Sequence, residues 1–231
     1  MECYDNWTAI IPARAGSVNL PKKNLMKIAG LPLYERAVEL ALSAGATNVI
    51  LTTDIKEILG RPHRQEVALH KRPAELATDT ALISDVILDV LQTYSCELCI
   101  LLQPTSPLTK ASDIMKSIEI YRSSKADLVL SATIADQRIL KCGFIDEHQN
   151  FRGLENGKWC NMNRQQLPKV ASPNGAIYVF NAEKFLNKKS FPVDNIKAYI
   201  MEAESSLDID NLEDFKQCEN ILRIQNENLQ P

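Results

Sequence analysis

The sequence contains no long apolar run and no strong excess of charge of one sign. No stretch approaches the roughly 18 consecutive apolar residues that a membrane-spanning helix requires. The first ten residues, MECYDNWTAI, carry acidic side chains where a secretory signal needs basic ones, so we expect a cytoplasmic protein. The net charge of −3 at pH 7 and the lack of basic clusters interleaved with aromatics exclude a general electrostatic surface for nucleic acid. We therefore expect a protein that acts without a membrane and without nucleic acid.

The six cysteines are too scattered to indicate a disulfide framework or a zinc site. Cys96 and Cys99 form a C-x-x-C pair, but no second pair follows and the histidines lack ligand spacing around it. We expect free thiols with structural roles. The length of 231 residues and the hydrophobic share of 45% fit a single domain over residues 1–231.

Glycine is scarce, with eight residues in the chain, and the glycine-rich phosphate loops are missing. The first apolar run, Ala9-Ile10-Ile11, ends at Pro12 and leads into a polar loop that contains a single glycine, Gly16. Neither a P-loop nor a dinucleotide-binding loop is supported, because both need more glycines at fixed spacing. The loop still offers backbone amides near Gly16 and polar side chains suited to an anion. These side chains are Arg14, Ser17, Lys23 and Asn24. A solvated basic loop without a ligand is the alternative.

Apolar periodicity predicts strands and helices in alternation along the chain. Four such alternations favour an α/β fold with a doubly wound, mostly parallel, Rossmann-like sheet. Strands are predicted at residues 9–11, 48–53, 66–70, 98–102, 128–132, 176–180 and 197–202. Helices are predicted at residues 31–44, 80–94, 111–121, 182–187 and 211–225, with a short helix or a turn at 56–59, and the tail over 226–231 is expected to fray. Asp79 is expected to cap the helix that begins at Thr80.

Between residues 133 and 170 this alternation stops. Short mixed segments that contain Gly143, Asn150, Gly153 and Gly157 indicate a small antiparallel insertion. An arm that contacts a partner subunit and a lid over the protein's own site remain alternatives.

Two further stretches carry polar groups that suit a ligand site. Residues 103–107 read QPTSP and follow an apolar strand, so two prolines stiffen a loop that presents Gln103, Thr105 and Ser106 at the strand's carboxyl end. Local backbone hydrogen bonding by these side chains is the alternative. Asp208 and Asp210 flank Ile209, and in an extended segment both carboxylates share one face. Such a pair suits Mg²⁺, for which Mn²⁺ can substitute, whereas Asp210 as a helix cap is the alternative.

The spacing P-A-R-x-G-S-x-x-x-P-x-K-N over residues 12–24 resembles the nucleotide-binding signature of the acylneuraminate cytidylyltransferases. The QPTSP loop and the D-x-D pair follow in the order that this family has them. The resemblance implies a nucleotide-diphospho-sugar transferase-like fold and the transfer of CMP from CTP to the anomeric hydroxyl of a nonulosonic acid. It also implies a homodimer joined through the arm over residues 133–170.

The resemblance implies roles for individual residues. The nucleotide is expected to contact Arg14, Ser17, Lys23, Asn24 and Arg72. The acid substrate is expected to contact Gln103, Thr105, Ser106, Arg164, Asn174 and Gly175. The catalytic set is expected to comprise Arg14, Lys23, Asp208 and Asp210, with both aspartates as metal ligands. For Arg72, a surface arginine paired with Glu75 or Asp79 is the alternative.

One position departs from the family pattern. The family usually has Lys-Gly after the serine of the first motif, whereas this chain has Val18-Asn19, so a phosphate-contacting lysine is missing. A non-catalytic nucleotide-binding relative therefore stays an alternative. A different nucleotidyltransferase or a glycosyltransferase on the same fold is another.

Overall fold

A computed structural model describes residues 6–17 and 19–227, and these residues are organised around a seven-stranded sheet. The strands are β1 (Thr8–Ala13), β2 (Lys27–Ile28), β3 (Leu31–Pro32), β4 (Asn48–Thr53), β5 (Val67–Lys71), β6 (Leu98–Leu102), β7 (Leu128–Ala135), β8 (Gly143–Ile145), β9 (Phe151–Gly153), β10 (Val170–Asn181) and β11 (Ile196–Ile200). The helices are α1 (Leu33–Ser43), α2 (Lys56–Leu59), α3 (Ile83–Thr93), α4 (Ala111–Ser124), α5 (Ala182–Lys188) and α6 (Leu212–Glu227). Most of the tail that was expected to fray lies outside the described residues.

The large sheet has the strand order β11-β7-β10-β6-β1-β4-β5. Its strands are parallel except β10, which runs antiparallel to both β6 and β7. The prediction of a mostly parallel α/β sheet is confirmed. From β1 the chain proceeds to β4 on one side and later returns to β6 on the other, so a crevice opens at the carboxyl ends of β1 and β6.

Helices cover both faces of this sheet. Ile11 of β1 points to the face that α1 and α4 cover, and Ile10 points to the face that α3 and α5 cover. Both isoleucines are fully buried. The sequence of β1 is therefore a continuous apolar run rather than an alternation of apolar and polar residues, because side chains on both faces pack against a hydrophobic layer. Within the described residues, the helices are too short or too polar to cross a membrane.

Three predicted helix starts are wrong by one to three residues. α3 begins at Ile83 rather than Thr80, and Asp79 does not cap it, because the Asp79 carboxylate contacts Arg14 instead. α1 begins at Leu33, since the two preceding residues pair with β2 in a small hairpin. α6 begins at Leu212, and the Asn211 side chain caps it by accepting hydrogen bonds from two backbone amides of its first turn.

The segment between residues 133 and 170 contains an antiparallel hairpin, as the sequence predicts. β8 pairs with β9 in this hairpin, and short 3₁₀ turns flank it. The neighbouring sheet strands reach further than predicted: β7 continues to Ala135, and β10 begins at Val170 and pairs with β7 from there. Large apolar side chains are exposed along this segment. They are Ile134, Ile139, Phe144, Ile145 and Phe151.

Candidate active site

A cavity of about 320 Å³ lies in the crevice at the carboxyl ends of β1 and β6. Most of the predicted site residues line it: Arg14, Ser17, Lys23, Asn24, Arg72, Gln103, Thr105, Gly175, Asp208 and Asp210. The structure thus brings together side chains from both ends of the chain. Ser106, Asn174 and Arg164 are not among the residues that line it.

The loop after β1 is held in shape by its own polar groups. Asn24 is 6% exposed, and its Nδ2 donates to the carbonyl oxygen of Arg14 at 2.8 Å. The Ala15 amide donates to Asp54 Oδ1 at 2.7 Å. Asn24 Oδ1 is buried and has no hydrogen-bond partner in the part of the chain that the structure describes. Hydrogen bonds within the protein therefore hold this loop, and with it Arg14 and Ser17, at the cavity wall.

Arg14 forms an ion pair inside the cavity that the sequence did not reveal. Its Nη1 lies 2.5 Å from Asp79 Oδ1, and Asp79 itself lines the cavity. The two side chains are 31% and 51% exposed, respectively. An anionic ligand that reaches Arg14 must compete with this carboxylate. Sequence reasoning assigned Asp79 to a helix cap, and only the folded chain places it opposite Arg14.

Arg72 is buried rather than on the surface. It is 5% exposed, and its guanidinium donates from Nη2 to the Thr52 carbonyl at 3.1 Å and from Nε to Thr52 Oγ1 at 3.4 Å. Burial lowers the pKa of Arg72 to about 10, against the opposing effect of Asp54, so the group stays cationic at neutral pH. The alternative of a surface arginine paired with Glu75 or Asp79 is wrong, because Arg72 is buried and Asp79 pairs with Arg14.

The aspartate pair adopts the arrangement that its spacing predicts. Ile209 is fully buried among α6 and the β2–β3 region, while the carboxylates on either side of it line the cavity. The Ile209 amide donates to the Thr105 carbonyl at 2.8 Å, which ties this segment to the loop after β6. Asp210 does not cap α6, because the adjacent Asn211 does so.

Asp208 and Asp210 have different electrostatic surroundings. Burial raises the pKa of Asp208, and the neighbouring charge of Asp210 raises it further, while hydrogen bonds from Thr105 and Ser106 oppose the shift. Lys23 Nζ lies 3.6 Å from Asp210 and donates to the carbonyl of the intervening isoleucine at 2.5 Å. The charge of Lys23 also opposes the shift, but burial outweighs it, so Asp208 is a desolvated carboxylate whose pKa stays raised. Across the described residues, no cluster of three or more histidine, cysteine, aspartate or glutamate side chains forms a closed metal site.

Three predicted residues lie away from the cavity. Ser106 donates to Asp208 Oδ1 at 3.4 Å and lines a neighbouring cavity beside α1. The Asn174 amide accepts from Ser131 Oγ at 2.5 Å and donates to Ser206 Oγ at 3.0 Å, so it is occupied within the protein. Arg164 lies exposed on the arm, in a short 3₁₀ turn.

Tyr178 lies close enough to Asp208 to feel its charge, although it is not among the residues that line the cavity. It is half-buried on β10, and burial together with the charge of Asp208 raises the pKa of its phenol. It also stacks on Phe191 with ring centroids 5.1 Å apart.

A family comparison identifies the class of protein that carries this cavity. Residues 8–229 match the profile of the family described as Cytidylyltransferase. The chain belongs to the cytidylyltransferase family. The matched range includes each of the motifs discussed above, from the loop after β1 to the aspartate pair before α6.

Two curated relatives are similar to this chain over most of its length. The chain is 33% identical over 213 residues to the N-acylneuraminate cytidylyltransferase of Streptococcus agalactiae, a match that covers 89% of this chain and 51% of the relative. It is 31% identical over 238 residues to the CMP-N,N'-diacetyllegionaminic acid synthase of Legionella pneumophila, with 96% of this chain and 98% of the relative covered. The chain thus spans about half the length of the streptococcal relative and nearly all of the Legionella one.

A solved structure shares the fold of this chain. It is a CMP:2-keto-3-deoxy-manno-octonic acid synthetase in complex with CTP, with a TM-score of 0.71 and 17% identity. The superposition covers 95% of this chain and 99% of that one. At this level of identity, the likeness concerns the architecture of the sheet and its helices.

Proposed function

We propose that this cytidylyltransferase-family protein transfers CMP from CTP to the anomeric hydroxyl of a nonulosonic acid. In this reaction the hydroxyl oxygen bonds to the α-phosphorus, the bond from that phosphorus to the departing pyrophosphate breaks, and the hydroxyl proton is released. The observation that carries the proposal is the cavity in which cationic Arg14, Lys23 and Arg72 lie together with Asp208 and Asp210. The acylneuraminate and legionaminic relatives support the choice of substrates.

The cationic side chains suit the nucleotide end of the cavity. We expect Arg14, Lys23 and Arg72 to contact phosphate or ribose oxygens, with Ser17 as a further donor. Asn24 supports them by fixing the loop through the Arg14 carbonyl. Phosphoryl transfer depends chiefly on positioning and on neutralisation of charge, and these are the tasks that a preformed cationic wall performs.

The carboxylates suit Mg²⁺, with Mn²⁺ as a substitute. Asp208 is desolvated beside a second carboxylate, so a cation would relieve the cost of its burial. Mg²⁺ is usually held by one or two carboxylates together with water and substrate phosphates, which fits this pair. When bound, the ion would neutralise phosphate charge and polarise the oxygen of the acceptor hydroxyl. Lys23 balances Asp210, and Ser106 orients Asp208 by donating to it.

The acceptor end is assigned to the loop after β6 and the middle of β10. Gln103 can both donate and accept hydrogen bonds, which suits a polyhydroxy acid, and Thr105 lies beside it on the cavity wall. Gly175 has φ of 79° and open space where a Cβ would stand, so backbone and ligand can approach closely there. Asn174 supports the site without lining the cavity. It donates a hydrogen bond to Ser206 and so links β10 to the segment that precedes Asp208.

A homodimer is part of the proposal. Arg164 lies on the arm and not at the cavity of its own chain, whereas an arm that reaches a second copy could bring it to that copy's acceptor site. The exposed Phe144, Ile145 and Phe151 of the arm, at 63%, 70% and 58%, support a face that a partner covers. We place the protein in the cytoplasm, in keeping with its free cysteines.

The test is pyrophosphate release from each of the four nucleoside triphosphates, offered with a panel of nonulosonic acids, with 2-keto-3-deoxy-manno-octonic acid and with a neutral sugar. We expect release that requires CTP, one of the nonulosonic acids and Mg²⁺. We also expect EDTA to stop this release. Release with another base or with a neutral sugar would identify a different nucleotidyltransferase or a glycosyltransferase. CTP binding without turnover on any acid would identify a non-catalytic relative.

A further inference from the structure

Behind Arg72 lies a buried polar cluster that the proposed reaction does not use directly. It consists of Thr52 on β4, His70 on β5 and Asp89 on α3. Thr52 is fully buried and His70 is 6% exposed. The two residues are partners in the parallel pairing of β4 and β5, so their side chains share one face of the sheet. Arg72 stands two residues beyond His70, where the chain leaves β5 for the cavity.

A continuous set of contacts joins the cluster to Arg72. His70 Nδ1 lies 3.0 Å from Thr52 Oγ1, and the Nε of Arg72 donates to the same hydroxyl oxygen. Arg72 Nη2 also donates to the Thr52 carbonyl. On the far side, His70 Nε2 lies 3.2 Å from Asp89 Oδ2, a buried oxygen without an aligned hydrogen bond among the described residues.

These distances assign the tautomer of His70. The Asp89 carboxylate only accepts, so the proton of a neutral imidazole sits on Nε2 and leaves Nδ1 bare. Nδ1 then accepts from the Thr52 hydroxyl, whose lone pairs face the Nε–H of Arg72. Burial lowers the pKa of His70, the charge of Arg72 lowers it further, and Asp89 partly opposes both. The imidazole is therefore neutral at pH 7.

We infer that His70 is a positioning residue which, through the Thr52 hydroxyl, holds the Arg72 guanidinium in place at the wall of the cavity. This inference rests on the proposed function, because it takes CTP as the ligand that Arg72 contacts. Nη1 of Arg72 takes part in neither hydrogen bond to Thr52. An arginine held in one orientation before binding loses less conformational entropy when the ligand arrives. The benefit therefore falls on CTP affinity rather than on the chemical step.

Paired substitutions in the full chain test this role. Thr52→Val keeps the shape of the side chain without its hydroxyl, and Thr52→Ser restores the hydroxyl. His70→Leu removes both ring nitrogens, and His70→Asn restores an acceptor close to the Nδ1 position. Tyr94→Phe is the matched control, because Tyr94 packs edge-on to His70 and donates to the Leu69 carbonyl of β5 outside the contacts that reach Arg72.

The expected result is a change in affinity that follows the hydrogen-bond chain. Thr52→Val and His70→Leu should raise the Kd and the KM for CTP by about 3- to 10-fold, the effect of one lost hydrogen bond. Their kcat should change by less than about 2-fold, since the transition state gains nothing specific from the contact. Thr52→Ser, His70→Asn and Tyr94→Phe should stay within about 2-fold of the parent. Calorimetric titration of CTP, pyrophosphate release and the unfolding midpoint provide these values.

Unchanged CTP affinity in folded Thr52→Val and His70→Leu proteins would overturn the inference, and so would an equal loss in Tyr94→Phe. If His70→Leu does not fold, His70→Gln takes its place, because it keeps the donor toward Asp89 but offers no acceptor at the Nδ1 position. Unchanged affinity in His70→Gln would overturn the inference as well. A parent protein that neither binds CTP nor releases pyrophosphate would refute the proposed function together with it. A fully active parent with variants that match it would refute the positioning role alone.

Discussion

Replacement of Asp79 by asparagine should strengthen CTP binding, although this residue lies inside the nucleotide cavity. The Asp79 carboxylate is 2.5 Å from Arg14 Nη1, and both side chains are about a third to a half exposed. Water screens a pair of this kind, so it contributes about 0.2–1 kcal/mol. CTP must compete with Asp79 for Arg14, and removal of the competitor returns that free energy to binding. The affinity should rise by about 1.4- to 5-fold.

Calorimetric titration of CTP at low salt measures the change, and Glu75→Gln is the control. Glu75 is exposed in the same segment, so its substitution alters the net charge equally but leaves the Arg14 pair intact. The gain from Asp79→Asn should shrink as ionic strength rises, because salt weakens the competing pair. A loss of affinity of about 3-fold or more in Asp79→Asn alone would refute the reasoning, since Asp79 would then have to contact the nucleotide itself.

Four further predictions concern other residues. Asp208→Asn should lower kcat in Mg²⁺ by about 10²-fold in the pyrophosphate assay, because the amide cannot supply the charge that holds the cation. Burial lowers the pKa of His70 from 6.5, so the unfolded chain takes up the proton more readily. The unfolding midpoint of the parent should therefore fall relative to that of His70→Asn as the pH drops below 6.5. Val18→Lys should lower the KM for CTP by about 10-fold through one charge-assisted phosphate contact. Phe144→Asp combined with Phe151→Asp should shift the mass measured by light scattering from dimer to monomer, because charge on both exposed rings opposes burial of the arm.

Much of the fold could be predicted because its signals are local and periodic. Ile10 and Ile11 read as a buried strand since both faces of the sheet are covered, and helix and strand types along the main sheet followed from spacing alone. The helix starts were less accurate. The start of α1 depends on the pairing of β2 with β3, and the start of α3 depends on the capture of Asp79 by Arg14. The first contact is local but joins strands of only two residues each, and the second joins residues that are 65 positions apart.

In the candidate site, too, some features could be predicted from local sequence and others could not. Asp208 and Asp210 could be placed on one face because the period of an extended chain is two residues. Asn174 could not be recognised as an internal tie, since its partners Ser131 and Ser206 come from distant parts of the chain. The link from His70 to Arg72 could not be predicted either, because it passes through Thr52 on a neighbouring strand.

The central claim is tested most directly by phosphorus NMR of the protein incubated with CTP, Mg²⁺ and a nonulosonic acid such as N-acetylneuraminic or diacetyllegionaminic acid. The account predicts a new phosphodiester signal from a CMP-sugar that grows in equal amount with pyrophosphate and that requires both substrates. A spectrum in which CTP stays intact with every acid offered, while calorimetry shows that CTP is bound, would contradict it.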